Sequence, residues 1–340
     1  MKEFSRIAVD LGKGSFQVHA INERGDCVRR KLSRTKFREF VADAKPCLVA
    51  MEACGSAHYW AREVAAMGHE ARLIPPVYVK PYVKRGKNDA ADAAAICEAA
   101  SRPDMRFVPV KSAEQQATLM LHGSRELLVK QRTMLVNALR GHLSEFGIVA
   151  AKGIGRVDEL IERAKQDATL PATAKGCVDI FAAQIASLNT SIEAVEDEIE
   201  QALAQDETAR LLDAIPGVGP IIATAVRSIV PDGRIFAAGR DFSAWMGLTP
   251  RQNSTGGKEK LGSITKQGNR YLRKLLVVGS TSLIRVAKKY KGELADWINA
   301  LRARKPERFV SVALANKLGR IIWAVMTTGE AFRKEKFAKA

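Results

Sequence analysis

Along the first 110 residues, apolar and polar side chains alternate in short runs. Ile7, Val9 and Leu11 share one face of RIAVDLG. Phe16, Val18 and Ala20 share one face of SFQVHAI, with a Gly-Lys-Gly turn between the two. Alternation of period two, bounded by turn residues, predicts strands. CVRRKLS, CLVAME and EARLIP read the same way, whereas TKFREFVADA, SAHYWAREVAAMG and NDAADAAAICEAA carry helical spacing. Three strands joined by tight turns, then strands separated by helices, predict an α/β fold. Its sheet is mixed, with an antiparallel meander on one side.

The period changes over residues 112–147, where Leu119, Leu121, Leu127, Leu128, Leu135 and Leu139 recur at roughly helical spacing. Between 178 and 205, Ile185, Leu188, Ile192, Val195 and Ile199 form a near-heptad stripe with acidic residues outside it. Two such stripes predict a long helical, coiled-coil-like arm, which either joins two copies of the chain or folds back within one. AKGIGRVDEL and the stretch around Pro171 read as connections. From about Leu211 the chain is helical, punctuated by glycine and basic. The divisions fall at 1–110, 111–206 and 207–340, the last mainly α.

Composition narrows the function. The chain has 340 residues, 46% of them hydrophobic and 27% charged. No apolar run approaches the roughly 20 residues of a membrane span, and the start MKEFSR lacks the apolar stretch of a signal peptide. Five scattered cysteines without a CxxC pair argue against disulfides and structural zinc. A cytoplasmic protein without a membrane partner is the expectation. Lys+Arg 54 against Asp+Glu 37 gives a net charge of +17, which favours a polyanion, and nucleic acid first.

Against that background the acidic residues stand out. Asp10 interrupts an apolar strand, and an isolated buried charge costs several kcal/mol. Glu52 ends the fourth strand, where open α/β sheets place their ligands. Asp89 and Asp92, behind the N-cap Asn88, lie three apart on one helix face among small alanines. Each has a plain reading, since acidic residues also complement a helix N-terminus. Jointly they offer hard oxygen ligands suited to Mg²⁺ or Mn²⁺. Two such ions about 3.5–4 Å apart clamp a phosphodiester.

The pattern resembles the RuvC-type branch of the RNase H-like fold. More narrowly, the chain is similar to the DEDD transposases of bacterial insertion sequences, the IS-one-ten family and especially its IS-eleven-eleven branch. The phrases that carry the likeness are IAVDLGKGSFQVHA, CLVAMEACGSAHYWARE, IPPVYVKPYVKRGKNDAADAAAICEA, RFVPVKSAEQQA, IPGVGP and FSAWMGLTPRQNSTGGKEKLGSITKQGNRYLR. They run in order over nearly the whole chain. The resemblance maps the family's four catalytic carboxylates onto Asp10, Glu52, Asp89 and Asp92. It implies a DNA recombinase acting on element ends and target, with a structured guide RNA as partner.

In the C-terminal half, IPGVGPIIATAV fits the turn of a helix-hairpin-helix, in which Gly217 and Gly219 free backbone N–H groups for a phosphate. Glycine-rich helix turns also occur as plain structure. Arg251 to Gly262 reads as a polar loop. Arg251, Lys258, Lys260, Lys266, Arg270, Arg273 and Lys274 are candidate backbone contacts, or a solvated helix face. Trp245, Trp297 and Trp323 read as core. The resemblance further implies a serine nucleophile and lands on Ser254, with Thr255 and Ser263 as neighbours. Serine needs an activating base or metal, and all five histidines lie in the N-terminal half. A composite site in a homo-oligomer, dimer or tetramer, would bring the carboxylates to the serine. Competing readings are a RuvC-like junction endonuclease using water, a sugar kinase of the actin-like fold, and a DNA-binding protein with a dead nuclease domain.

Overall fold

The computed structural model describes residues 2–83, 89–253, 260–333, 335 and 338–339. Within it the chain divides into two compact units, residues 1–116 and 117–340.

In the first unit, β1 (Arg6–Leu11), β2 (Phe16–Ile21) and β3 (Cys27–Leu32) form the antiparallel meander. Helix α1 (Arg34–Ala42) leads to β4 (Leu48–Glu52), and α2 (Ala57–Ala66) to β5 (Glu70–Ile74). Both later strands run parallel to β1, giving the order β3-β2-β1-β4-β5. The short α3 (Pro76–Val79) and then α4 (Asp89–Ala100) follow. Alternation sorts the core onto two faces. Ile7, Val9, Val49 and Met51 pack with Phe37, Trp60 and Val64 of α1 and α2. There Phe16 and Trp60 meet edge to face, with ring centroids 5.0 Å apart. On the other face Ala8, Ala50 and Ile74 pack with Ala95, Ile96 and Ala99 of α4. Alanines on both sides of that contact let the helix lie close to the sheet.

The second unit takes in most of α5 (Ala113–Ser144), then α6 (Val157–Gln166) and α7 (Ala172–Gln205). Buried Val178, Ile185, Ile192 and Ile199 repeat every seven residues along α7. Val178 and Ile185 of this stripe pack with Val136, Leu139 and Leu143 of α5 and with α6 of the same chain. Arg125 Nε donates to Glu196 Oε1 at 2.6 Å, and Arg132 Nη1 to Asn189 Oδ1 at 2.8 Å. Seven residues forward on one helix match seven back on the other, so the pair is antiparallel. The leucine stripe expected on α5 is corrected in part: Leu127 is 55% exposed, while His122, Val136, Leu139 and Leu143 are buried. The connection expected at AKGIGRVDEL is corrected too. Its second half enters α6, because Val157, Leu160, Ile161 and Ala164 sit at helical spacing and bury against the α5 and α7 residues Leu139 and Val178.

The remaining helices are α8 (Glu207–Asp213), α9 (Pro220–Ile229), α10 (Gly239–Trp245), α11 (Arg270–Val286), α12 (Glu293–Arg302) and α13 (Glu307–Thr328). They enclose one core built on Val226, Phe242, Met246, Leu276, Ile298, Leu314 and Leu318. Two short ribbons complete the unit: β6 (Pro250–Gln252) with β7 (Leu261–Ile264), and β8 (Tyr290–Lys291) with β9 (Ala338–Lys339). Helix α13 corrects the expectation of no membrane-length apolar run, since it is long and apolar enough by length and composition. Its buried residues, Val310 to Val325, are core positions of this unit. Trp245 is 36% exposed rather than core.

One polar bridge crosses this core. His122 of α5 is 2% exposed and meets Thr224 Oγ1 through Nε2 at 3.1 Å, and the Tyr271 hydroxyl through Nδ1 at 3.0 Å. The Thr224 hydroxyl already donates to Pro220 O at 2.7 Å. It therefore accepts from Nε2–H, and Nδ1 accepts from Tyr271 O–H.

Candidate active site and nucleic-acid surface

The register of β1 and β4 aligns two of the acidic residues. Val9 pairs with Met51, and Asp10 and Glu52 are the next residues on the two strands. They share the parity of Ala8 and Ala50, so they face α4. Asp92 stands one helical turn before the buried Ile96 of α4 and is half-buried, as are Asp10 and Glu52. Burial pushes the Glu52 carboxyl above the ordinary range, and the negative charges of Asp10 and then Asp92 push it further. Three carboxylates from two strands and a helix thus share one field. Asp89 opens α4 three residues before Asp92; its side chain, like Asn88, lies outside the described residues.

Among the described residues, no three His, Cys, Asp or Glu side chains already stand as a metal cage. The donor chemistry nevertheless fits a hard divalent cation. The side chains are all carboxylates, and the repulsion that adds to burial in raising Glu52 is what a cation would relieve.

The turn after β4 holds features that sequence spacing alone did not reveal. Cys54 lies in the field of the same carboxylates: burial, then Glu52 and Asp10, push its thiol upward. Ser56 caps α2 at φ 69°, a left-handed conformation that costs a non-glycine residue on the order of 1 kcal/mol. One turn on, His58 and Arg62 grip the residue before the first turn of α5. Lys111 N–H donates to His58 Nδ1 at 3.2 Å, and Arg62 Nη1 donates to Lys111 O at 2.8 Å. Ser112 Oγ then accepts from Gln115 N–H at 3.1 Å, while Gln115 Oε1 accepts from Ser112 N–H at 2.9 Å. This reciprocal pair starts α5.

In the C-terminal unit, Ser254, Thr255 and Lys258 lie outside the described residues. The loop expected from Arg251 to Gly262 is corrected at its base, where β6 and β7 pair and Asn253 N–H donates to Lys260 O at 2.9 Å. Ser263 is exposed on β7, and Arg251, Lys260, Lys266 and Arg270 are exposed as well. Arg273 instead braces the chain that precedes it. Its Nη1 donates to Met246 O at 2.7 Å and to Gln267 O at 2.9 Å. Lys274 Nζ pairs with Glu126 of α5 at 2.6 Å.

The Gly217–Gly219 turn joins α8 to α9. Gly217 takes φ 81°, and its carbonyl lies so near α11 that a Cβ on Gly279 would meet it at 2.1 Å. Gly217 therefore serves a backbone contact between the turn and α11. Gly219 precedes α9 in extended backbone, with open space where a Cβ would stand.

A family of transposases described as the IS116/IS110/IS902 family matches residues 209–294, and a DEDD transposase family matches residues 7–148. A protein of Sinorhizobium fredii named as a transposase is 47% identical over 336 residues, 98% of this chain and 87% of that one. The transposase for insertion sequence element IS1328 of Yersinia enterocolitica is 40% identical over 98% of this chain and 100% of its own length. The transposase for insertion sequence element IS1111A of Coxiella burnetii is 39% identical over 98% of this chain and 92% of its own.

Proposed function

The chain belongs to the transposase family of the IS110 and IS1111 insertion sequences, and from that premise we propose that it mobilises an element through a serine–DNA covalent link, guided by a structured RNA. Members of this family cut and rejoin DNA. The DEDD domain implies an RNase H-like fold, with which the mixed sheet of the first unit is consistent.

The observation that carries the reading is the common field of Asp10, Glu52 and Asp92. With Asp89 they form the ligand set we assign to Mg²⁺ or Mn²⁺, two ions in number. Bound there, the cations would neutralise phosphodiester charge and activate the attacking oxygen.

The nucleophile in this reading is the Ser254 hydroxyl, with Thr255 and Ser263 as its neighbours. Its oxygen bonds to phosphorus, the bond from phosphorus to the leaving strand breaks, and that strand's oxygen takes the proton. One phosphodiester is exchanged for another, so rejoining needs only a strand hydroxyl attacking the serine ester. The exposed cations Arg251, Lys260, Lys266 and Arg270 would hold the DNA backbone around that step. The turn at Gly217 and Gly219 is a further proposed phosphate contact. The net charge of +17 supports a partner of RNA as well as DNA. Exposed Met120, Leu127 and Met134, seven residues apart on α5, support a homo-oligomer.

The test is a denaturant-stable adduct. Protein incubated with Mg²⁺ and DNA carrying an element end is expected to retain DNA in denaturing gels, with the link mapping to Ser254 by mass spectrometry. Ser254→Ala and Asp10→Asn both lose it. Strand cleavage without any adduct would instead establish hydrolysis by water.

A further inference from the structure

We propose that the cleft bounded by α10, α12 and α13 binds a segment of single-stranded nucleic acid; this rests on reading the chain as a recombinase of nucleic acid. The cleft has a volume of about 780 Å³. Arg240 of α10, Lys317 and Arg320 of α13, and Arg333 beyond α13 line it, against Glu293 and Glu330. Four cations facing two carboxylates favour a polyanion.

Arg240, Arg320 and Arg333 are exposed, and among the described residues no carboxylate pairs with them. Their planar guanidinium groups are suited to two-pronged hydrogen bonds with phosphate. Lys317 is partly engaged, its ammonium lying 4.8 Å from the centre of the Trp297 ring.

Between the cations the wall is apolar. Leu294 and Ile321 contribute aliphatic surface, Trp323 and Phe332 aromatic surface. Trp323 is fixed in place, since Nε1 donates to Gly233 O at 3.0 Å and its ring packs against Gly239, where a Cβ would meet it at 3.1 Å. Cations that follow a backbone beside aromatic surface that receives bases are the combination that binds single strands. A duplex hides its bases in the stack, where the aromatic wall does not reach them. Among the described residues, none of Arg251, Lys260, Ser263 and Lys266 lines it.

The experiment measures binding by the full chain, using fluorescence anisotropy. The probes are a labelled unstructured oligonucleotide, as RNA and as DNA, and a duplex of the element end. Simultaneous Arg240→Ala, Arg320→Ala and Arg333→Ala is expected to weaken single-strand binding about tenfold or more and duplex binding less than about twofold. The slope of log affinity against log salt falls by about 2 units, at roughly 0.7 per lost phosphate contact. Lysine at the same three positions restores the salt slope and only part of the affinity. A 4-thiouracil-substituted strand cross-links within residues 317–333. Tighter RNA binding upholds the site as one for the guide, and equal or tighter DNA binding upholds it as one for unpaired element DNA. Unchanged single-strand affinity in the alanine variant, folded by circular dichroism, overturns the proposal, as does an equal loss for duplex. If Asp10→Asn still cuts DNA, the recombinase reading fails while these measurements stand.

Discussion

His58 Nε2 and Lys111 Nζ stand 2.9 Å apart, although both ordinarily donate. His58 Nδ1 is already an acceptor, taking the Lys111 backbone N–H. A neutral imidazole then carries its proton on Nε2, which sets that N–H against the Lys111 ammonium. Burial pushes Lys111 below the ordinary lysine range and, with the charges of Lys111 and Arg62, pushes His58 down to about 4.

Acid is therefore expected to loosen this grip. His58 has a folded value of about 4 against an ordinary 6.5. Between those values the unfolded chain holds a proton that the folded chain lacks, so stability falls as pH drops from 6.5 to 4 and levels off below. Hydrogen exchange at the Lys111 amide, corrected for its intrinsic rate, should lose protection over that window. His58→Phe should remove the pH dependence; an unchanged profile would count against the pairing.

His122 makes the same kind of prediction for the helical core. It too is held down to about 4, by burial first and then by Arg125, so the C-terminal unit also loses stability as pH falls from 6.5 to 4. His122→Ala leaves Tyr271 O–H without its acceptor and opens a cavity, at a cost of about 2–3 kcal/mol. Tyr271→Phe costs about 1 kcal/mol. Urea denaturation of each variant at pH 7 measures both.

At the carboxylates, stability and activity are expected to part. The Glu52 carboxyl is raised in the folded chain, so the fold loses stability as pH rises past the ordinary glutamate value. Glu52→Gln should be at least as stable as the wild type at pH 7 by thermal melting, yet inactive in strand cleavage. A destabilised Glu52→Gln protein would mean that the carboxylate supports the fold instead.

Two glycines in one neighbourhood should behave differently. Gly279→Ala drives a methyl to 2.1 Å from Gly217 O and should cost about 2 kcal/mol or more through forced separation of α11 from the turn. Gly219→Ala meets open space and should leave the melting temperature nearly unchanged, so any loss of DNA affinity in that variant would concern the phosphate contact.

The sheet was legible because period-two alternation is local and each strand is bounded by turn residues. Asp10 drew attention for the same reason, being one charge in an apolar run. Helix α6 was missed because its pattern, Val157 to Ala164, is short and sits behind glycines 153 and 155. The grip on Lys111 was invisible because it joins residues 53 positions apart in sequence and requires a tautomer that only geometry assigns. Arg273 and Lys274 read as free cations because a sequence does not show which carbonyl or carboxylate a long side chain will reach. Leu127 shows the limit of spacing: a leucine at helical period can belong to the outer stripe as readily as to the inner one.

The matched rungs of α5 and α7 restrict how this arm can change length. Arg125 answers Glu196 and Arg132 answers Asn189, one heptad apart on each helix. Removing two residues from α7 alone would rotate its far end by roughly 200° at about 100° per residue, turning Ile185 or Ile199 toward water. A length change that keeps both rungs and the buried stripe is a step of seven taken by both helices at once, like a ladder that accepts whole rungs and no fractions.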